Sequence, residues 1–163
     1  MPLNGDPVLK FGGSSVGRGF QPGQLSPDLS TVVAASSCQS GAPSNCANGL
    51  ILIDVASGEI TQLTTQADDQ DPHWSPDGTR IAFVRGSDRG VWVINTDGTG
   101  LNKLAAPTKK SVYDHDIAWS PDGTQIVFTS GQVTTFGHMG DVNVISAAGG
   151  QPQVLISDSI AAW

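Results

Sequence analysis

The sequence predicts an all-β fold built from a repeated unit, and three observations support this. The hexapeptide Trp-Ser-Pro-Asp-Gly-Thr occurs at residues 74–79 and again at 119–124, and a diverged copy stands at 25–30. The copies begin 49 and 45 residues apart, and Trp163 stands a further 44 residues along the chain. Repeats of about 40 to 45 residues are typical of radial or stacked arrays of small sheets. The content of 20 Gly and 10 Pro in 163 residues favours many turns over long helices.

Each copy is predicted to contain four short strands. The first strand ends at the repeat Trp, and Ser-Pro-Asp-Gly then forms a tight turn, because Pro presets its own φ and Gly tolerates a positive φ. Three further strands follow in the central copy: an apolar segment at 80–84, a β-branched and aromatic segment at 90–94, and a shorter segment at 102–104. Four antiparallel strands in about 45 residues are typical of a β-propeller blade. The diverged copy lacks both the Trp and the Gly, so we expect its turn to be built differently.

The predicted organisation is an N-terminal segment followed by about three four-stranded antiparallel blades. Residues 1–18 are predicted to form an outer strand and a Gly/Ser-rich linker. Residues 19–163 are predicted to form the blades, at about 19–65, 66–108 and 109–157, and the first strand of a further blade. Propellers close with at least about four blades, and open sheet edges promote aggregation. We therefore expect either the remainder of a longer propeller or a homo-oligomer to complete the structure.

The residues of the central copy resemble a known family. His-Trp-Ser-Pro-Asp-Gly-Thr-Arg-Ile-Ala-Phe-Val at 73–84, followed by Val-Trp-Val-Ile-Asn-Thr-Asp-Gly-Thr at 91–99, closely resembles the repeat of TolB-like propellers. The resemblance covers roughly residues 20–163, with two good copies and one degraded copy. It implies a non-catalytic binding scaffold or, as alternatives, the regulatory propeller of a prolyl-oligopeptidase-like enzyme or a fragment of a metal-dependent polysaccharide lyase.

Charge and composition exclude several other classes of function. The net charge is −7, and Lys109-Lys110 is the only basic cluster, whereas nucleic-acid binding needs a positive face. The sequence contains no run of about 18 apolar residues, so it predicts no membrane span. No Gly-x-Ser-x-Gly element is present, and no Ser/His/Asp set has supporting context. We therefore predict a protein that is not an enzyme and that binds a protein or peptide partner.

The two cysteines indicate the compartment. Cys38 and Cys46 flank a loop between the second and third strands of the first repeat. Cysteines on paired antiparallel strands can face each other at disulfide distance, and such bonds persist in oxidising compartments. The alternative is two unpaired thiols that lie close together in the sequence. We predict the disulfide, and with it a periplasmic or extracellular location.

Acidic and histidine side chains recur just before the predicted inner strands. Inner strands line the central channel of a propeller, so these side chains are expected to gather near one mouth of that channel. Their oxygens could hold Ca²⁺ or another divalent cation, or attract a cationic partner, and the alternative is that each Asp caps a tight turn. We predict no required cofactor and leave the metal open. The predicted channel-mouth residues are Asp69, Asp71, His73, Asp114, His115, Asp116 and Asp158.

Two further features bear on contacts. The longest connection between strands in a good copy runs from Gly131 to Gly140 and contains Phe136, His138 and Met139. An exposed loop on a rigid scaffold is a reasonable contact site, although it can equally be a spacer.

The repeat tryptophans are expected to pack between neighbouring blades rather than to form a ligand platform. These are Trp74, Trp119 and Trp163.

Overall fold

The structure is a computed structural model, and every strand that it describes lies in an antiparallel sheet. In the part of the chain that it describes, no helix is long and apolar enough to cross a membrane. The described residues are 18–20, 23–38, 48–106, 113–134 and 137–157. Within these ranges, side chains are not described for 18–20, 113–115, 132–134 and 137–139.

Three sheets follow one another along the chain, and we call them blades 1, 2 and 3. Blade 1 contains β1 (Arg18–Phe20), β2 (Gln24–Leu25), β3 (Thr31–Cys38), β4 (Gly49–Asp54) and β5 (Ile60–Gln62). Blade 2 contains β6 (Asp69–Trp74), β7 (Arg80–Arg85), β8 (Gly90–Asn95) and β9 (Asn102–Ala105). Blade 3 contains β10 (Tyr113–Trp119), β11 (Gln125–Thr134), β12 (Gly137–Ser146) and β13 (Gln153–Ile156).

The strand order confirms the predicted four-stranded plan. In blades 2 and 3 each strand pairs with the next along the chain. In blade 1 both β1 and β2 pair with β3, at its two ends, so together they take the place of one inner strand. The chain therefore forms three blades of a larger β-propeller, as the repeat spacing predicts.

The apolar core lies between consecutive blades. Side chains alternate between the two faces of a strand, so Ile81 and Phe83 of β7 face blade 1, whereas Ala82 and Val84 face blade 3. Both faces of β7 are therefore buried, which explains why its sequence is apolar at consecutive positions. The strands β6 and β10 make the main contacts with the preceding blade.

The Ser-Pro-Asp turn has the same construction in all three blades, so the expectation of a different turn in the diverged copy was wrong. In each turn the Asp carboxylate accepts a hydrogen bond from the preceding Ser hydroxyl at 2.6 Å and from the backbone N–H two residues on at 3.0–3.1 Å. Leu29 adopts a φ of 65°, compared with 70° for Gly78 and 68° for Gly123. The shared hydrogen bonds thus hold a leucine in the left-handed conformation that glycine adopts in the other copies. The three carboxylates are those of Asp28, Asp77 and Asp122.

The connection predicted as a loop from Gly131 to Gly140 is instead a regular hairpin, which corrects that prediction. The strands β11 and β12 pair continuously along their length, and Gly131 lies opposite Gly140. A Cβ on Gly140 would collide with the backbone of Gly131, so glycine permits the close approach of the two strands. His138 and Met139 lie in β12 with undescribed side chains, and Phe136 lies outside the described residues. Their role in binding stays a prediction.

Candidate functional site

Four of the five predicted acidic residues of the channel mouth lie within inner strands: Asp69, Asp71, Asp114 and Asp116. The strand β6 begins at Asp69 and β10 begins at Tyr113, so both Asp71 and Asp116 are strand residues. The pairing register shifts at this point in both strands. Asp71 and Asp116 adopt φ angles of 52° and 53°, as expected where a β-bulge inserts an extra residue. A two-residue periodicity gives no sign of such a bulge, and the sequence alone did not reveal it.

Asp71 forms a side-chain hydrogen bond within its own strand. Its Oδ1 lies 3.0 Å from Nε2 of His73, and the two side chains are 45% and 31% exposed. In blade 3 the position of His73 is taken by Ala118, so this pair is not repeated there, but Asp116 is exposed. Exposed carboxylates at the same position of two successive inner strands therefore give this end of the blades a negative charge. We call Asp71, His73 and Asp116 the acidic site.

Asp69 has a different environment from the acidic site. Its carboxylate is fully buried and receives hydrogen bonds from Arg85, at 2.6 Å from Nε and 3.0 Å from Nη2. The Arg85 guanidinium also stacks 4.5 Å from the centroid of the Trp92 ring. A carboxylate that is buried and paired in this way stabilises blade 2. Sequence reasoning missed the pair, because the predicted second strand ends at Val84, whereas the observed pairing extends further and places Asp69 opposite Arg85.

The remaining predicted residues are placed only in part. The backbones of Asp114 and His115 lie in β10, their side chains are not described, and Asp158 lies outside the described residues. Cys38 ends β3, and Cys46 also lies outside the described residues, so their bond remains a prediction. In the described part of the chain, no group of three or more His, Cys, Asp or Glu residues is suited to hold a metal ion.

Trp74 and Trp119 lie between blades, as predicted, and each donates a hydrogen bond that was not predicted. The indole Nε1 of Trp74 donates to the backbone carbonyl of Gln24 in blade 1 at 3.0 Å. The Nε1 of Trp119 donates to the carbonyl of His73 in blade 2, also at 3.0 Å. Both acceptors stand one residue before the repeat position of the preceding blade. The same contact thus joins each inner strand to its predecessor, while Trp163 lies outside the described residues.

The turns at the other end of the inner strands carry ionised carboxylates. Hydrogen bonds from the repeat Ser hydroxyl and then from the backbone N–H two residues on lower the pKa of Asp77, and likewise that of Asp122, from 3.8 to about 2. The pKa of Asp28 is lowered by the hydroxyl of Ser26 and by Ser30. All three groups are charged at neutral pH, so the turn face of the blades is also negative.

Three four-stranded blades, joined in sequence through the repeat tryptophans, define this chain as part of a TolB-like β-propeller. The family described as the dipeptidyl peptidase IV N-terminal region matches residues 26–130. This range is more than half of the chain, and the chain therefore belongs to that family. A search of curated proteins found no match.

Solved structures similar to this chain include propellers of several kinds. A putative TolB from Agrobacterium tumefaciens is 25% identical, with a TM-score of 0.60, over 83% of this chain and 50% of that one. A puromycin-hydrolyzing peptidase of Mycobacterium tuberculosis is 19% identical, with a TM-score of 0.65, over 86% of this chain and 24% of that one. An oligogalacturonate lyase in complex with manganese is 20% identical, with a TM-score of 0.62, over 84% and 41%. The chain spans half or less of each of these structures.

Proposed function

We propose that the blades form a non-catalytic scaffold that binds a protein or peptide partner of positive charge at the acidic site. The observation that carries this proposal is the repetition of an exposed carboxylate, Asp71 and then Asp116, at the same position of successive inner strands. Buried sheets hold these strands rigidly, so the spacing of the two charges is fixed before a partner arrives. A net charge of −7 further favours encounter with a cationic partner.

The serine hydroxyl groups in the turns are engaged in hydrogen bonds, which supports a non-catalytic role for the described part of the chain. Ser75 is fully buried, and its hydroxyl donates to Asp77 while accepting from the backbone N–H of Arg80. Ser120 makes the same bonds in blade 3. A nucleophilic serine needs a base beside it and an open path to substrate. These serines are instead engaged in holding the turns.

Calorimetric titration with a lysine-rich peptide and a glutamate-rich peptide of equal length tests the scaffold proposal. We expect the basic peptide to bind and the acidic peptide not to bind. The double variant Asp71→Asn/Asp116→Asn should weaken binding by about tenfold, which corresponds to about 1.4 kcal/mol. Asp97→Asn, an exposed carboxylate in the turn after β8, serves as the matched control and should leave affinity unchanged. Equal binding of both peptides, or an unaffected double variant, would refute the proposal.

A second candidate is the access-controlling propeller of a prolyl-oligopeptidase-like enzyme. The family match over residues 26–130 and the similarity to a puromycin-hydrolyzing peptidase favour it. In that role the blades limit entry to a hydrolase domain and perform no chemistry themselves. Sequencing the reading frame on both sides of this chain tests it: a hydrolase domain with a serine nucleophile favours the candidate, and its absence eliminates it.

The third candidate is a fragment of a metal-dependent polysaccharide lyase. The similarity of this chain to the structure of the oligogalacturonate lyase favours it. Against it stands the engagement of Asp69 by Arg85, which removes one of the predicted carboxylates from a ligand set. We propose that the scaffold works without a resident metal ion. Titration with Ca²⁺ and with Mn²⁺ should give no saturable heat; saturable binding that disappears in Asp71→Asn would overturn this proposal.

We also propose that the protein resides in the periplasm or outside the cell, with a Cys38–Cys46 disulfide. Among the residues that the structure describes there is no free cysteine, which supports the pairing. Cys38 ends β3, directly before the connection to β4, so the bond would close that connection. Thiol titration of unfolded, unreduced protein should find no sulfhydryl, and two sulfhydryls would contradict the bond and weaken the case for this location.

A further inference from the structure

The interface between blades 2 and 3 contains an arginine side chain in a well-defined environment. The guanidinium carbon of Arg80 lies 4.8 Å from the centroid of the Trp119 ring, and its Nη2 donates to the backbone carbonyl of Gly123 at 2.9 Å. Stacking on an indole combined with an in-plane hydrogen bond is an arrangement that suits a guanidinium group. The positive charge of Arg80 also helps to lower the pKa of Asp77.

The corresponding space between blades 1 and 2 has no such side chain. The second strand of blade 1 begins with Thr31, whereas that of blade 2 begins with Arg80, and each stands six residues after its repeat position. The threonine side chain is too short to reach the next blade. The aromatic partner, however, is retained, because Trp74 occupies in blade 2 the position that Trp119 occupies in blade 3.

The hydrogen-bond acceptor is retained as well. Gly78 stands in the turn of blade 2 where Gly123 stands in blade 3, and their φ angles of 70° and 68° give the two turns the same shape. Pro27 of blade 1 lies against Gly78 as Pro76 of blade 2 lies against Gly123; in both cases the proline Cδ is 3.7 Å from the place of a Cβ on the glycine. The two interfaces therefore share the turn shape and the proline contact, and they differ in the missing arginine and in the tryptophan, since Trp74 is 8% exposed whereas Trp119 is only partly buried.

A cleft of about 250 Å³ occupies the place of the missing side chain. Thr31, Trp74 and Gly78 line it, together with the carboxylates of Asp28 and Asp77, and none of its ten described lining residues is basic. Asp28 has in blade 1 the repeat position that Asp77 has in blade 2. At the interface between blades 2 and 3, Asp77 lies near the charge of Arg80. The cleft thus offers an aromatic surface, a carbonyl acceptor and two negative charges.

We propose that the cleft between blades 1 and 2 binds the guanidinium group of an arginine side chain supplied by a partner polypeptide. The bound group stacks on Trp74, donates to the carbonyl of Gly78 and faces Asp28, as Arg80 does one blade further on. A lysine ammonium group lacks the flat face and the fork of donors that this site matches, so arginine is selected over lysine. The cleft lies at the turn end of the blades, and its proposed role does not depend on the acidic site.

Calorimetric titration of the whole chain with acetyl-Gly-Arg-Gly-amide tests the proposal. The lysine counterpart should bind at least about tenfold more weakly. N-acetylarginine, which has a free carboxylate and no ammonium group, should also bind more weakly, because its carboxylate is repelled by Asp28 and Asp77; equal affinity for N-acetylarginine would overturn the assignment to a polypeptide. Equal affinity for the lysine peptide would overturn the guanidinium site itself.

Two variants locate the binding. Thr31→Arg fills the cleft from within and should abolish binding while raising the melting temperature, whereas Thr31→Ser should bind as the parent does. Arg80→Thr opens the equivalent cleft between blades 2 and 3, and the stoichiometry should rise from one peptide to two. Binding that persists in Thr31→Arg would overturn the proposed location. If Arg80→Thr does not fold, the Thr31 pair still decides the outcome.

Discussion

At the scale of single residues, the backbone adopts a left-handed conformation at positions that the repeat pattern does not reveal. Four described residues other than glycine have positive φ angles. Two are the bulge residues Asp71 and Asp116, and short polar side chains tolerate this conformation well. Leu29 does not share that tolerance, because its Cβ approaches the following carbonyl oxygen. The turn of blade 1 is therefore strained at one residue.

Leu29→Gly should stabilise the protein by about 0.5 to 1 kcal/mol. Relief of the left-handed strain contributes about 1 to 2 kcal/mol, and the greater freedom of glycine in the unfolded chain offsets part of it. Little burial is lost, since Leu29 is 65% exposed. Urea unfolding measures the change. Leu101→Gly is the matched control, because Leu101 is also exposed but has no positive φ, and it should give no gain; an equal gain in both variants would contradict the explanation.

The turn carboxylates predict an acid-dependent loss of stability. Folding lowers the pKa of Asp77 and of Asp122 from 3.8 to about 2, so each contributes stability that is fully present above about pH 4 and is lost as the pH falls to about 2. The melting temperature should therefore fall across that window. In Asp77→Asn/Asp122→Asn the slope of melting temperature against pH between 4 and 2 should be smaller than in the parent. Parallel curves for the two proteins would show that other groups control acid unfolding.

At the scale of strands and turns, the local pattern predicts each element well but not its extent. The three Ser-Pro-Asp turns and the strands that follow them lie where the pattern places them. The hairpin of β11 and β12 is longer than predicted, because Gly131 and Gly140 let the two strands approach closely and continue beyond this point. The buried pair of Asp69 and Arg85 is another element-level feature, since it joins the ends of β6 and β7.

Asp69→Asn should destabilise the protein by about 3 kcal/mol. The substitution leaves the Arg85 guanidinium, whose side chain is only 13% exposed, without its carboxylate. Asp71→Asn, two residues along the same strand, is the control and should change stability by less than about 0.5 kcal/mol, as expected for a partly exposed polar contact. Denaturant unfolding of both variants measures the difference. A neutral Asp69→Asn would instead favour the predicted ligand role of that carboxylate.

Trp119→Ala should lower the free energy of unfolding by about 3 to 5 kcal/mol, since it removes the packing between blades 2 and 3. Trp119→Phe keeps most of the packing and loses the indole N–H bond to the carbonyl of His73, so it should cost about 1 kcal/mol. Denaturant unfolding monitored by circular dichroism compares the two variants with the parent. Similar losses in both variants would mean that the hydrogen bond, and not ring burial, dominates this contact.

At the scale of the whole molecule, the two faces of the blade array differ. Leu104 and Ala105 in the outer strand of blade 2 are 6% and 5% exposed, because blade 3 covers them. Their counterparts in blade 3, Leu155 and Ile156, are 54% and 64% exposed. A contiguous apolar surface of this kind is typical of an interface. The far side of blade 3 is thus the surface against which a further blade is expected to pack.

We therefore predict that the chain associates in solution. Light scattering over a range of concentrations should detect species larger than 16.8 kDa. Leu155→Asp/Ile156→Asp should reduce the association, because it places charges on the apolar surface of blade 3. Leu101→Asp, at an exposed position just before the outer strand of blade 2, is the control and should leave it unchanged. A monodisperse 16.8 kDa monomer would contradict the prediction.

The fold was largely predictable because a propeller blade is a local structure. Turn residues, strand composition and the repeat spacing all act within about 45 residues, and together they specify the four-stranded plan. The candidate site was less predictable. Asp69 and Asp71 look equivalent in the sequence, yet one is buried against Arg85 and the other is exposed at a bulge.

The sequence by itself determined the all-β class, the repeated four-stranded plan, the turns and the place of Trp74 and Trp119 between blades, because each depends on neighbours along the chain. The tertiary structure alone decided which carboxylates are enclosed, that Trp74 and Trp119 donate to the preceding blade, and that Thr31 leaves open a space that Arg80 fills one blade later. Asp69 and Arg85 are 16 residues apart and meet across paired strands, whereas the other features join residues about one repeat apart. Only the stacking of blades brings such residues into contact, and a single unaligned sequence carries no direct record of it.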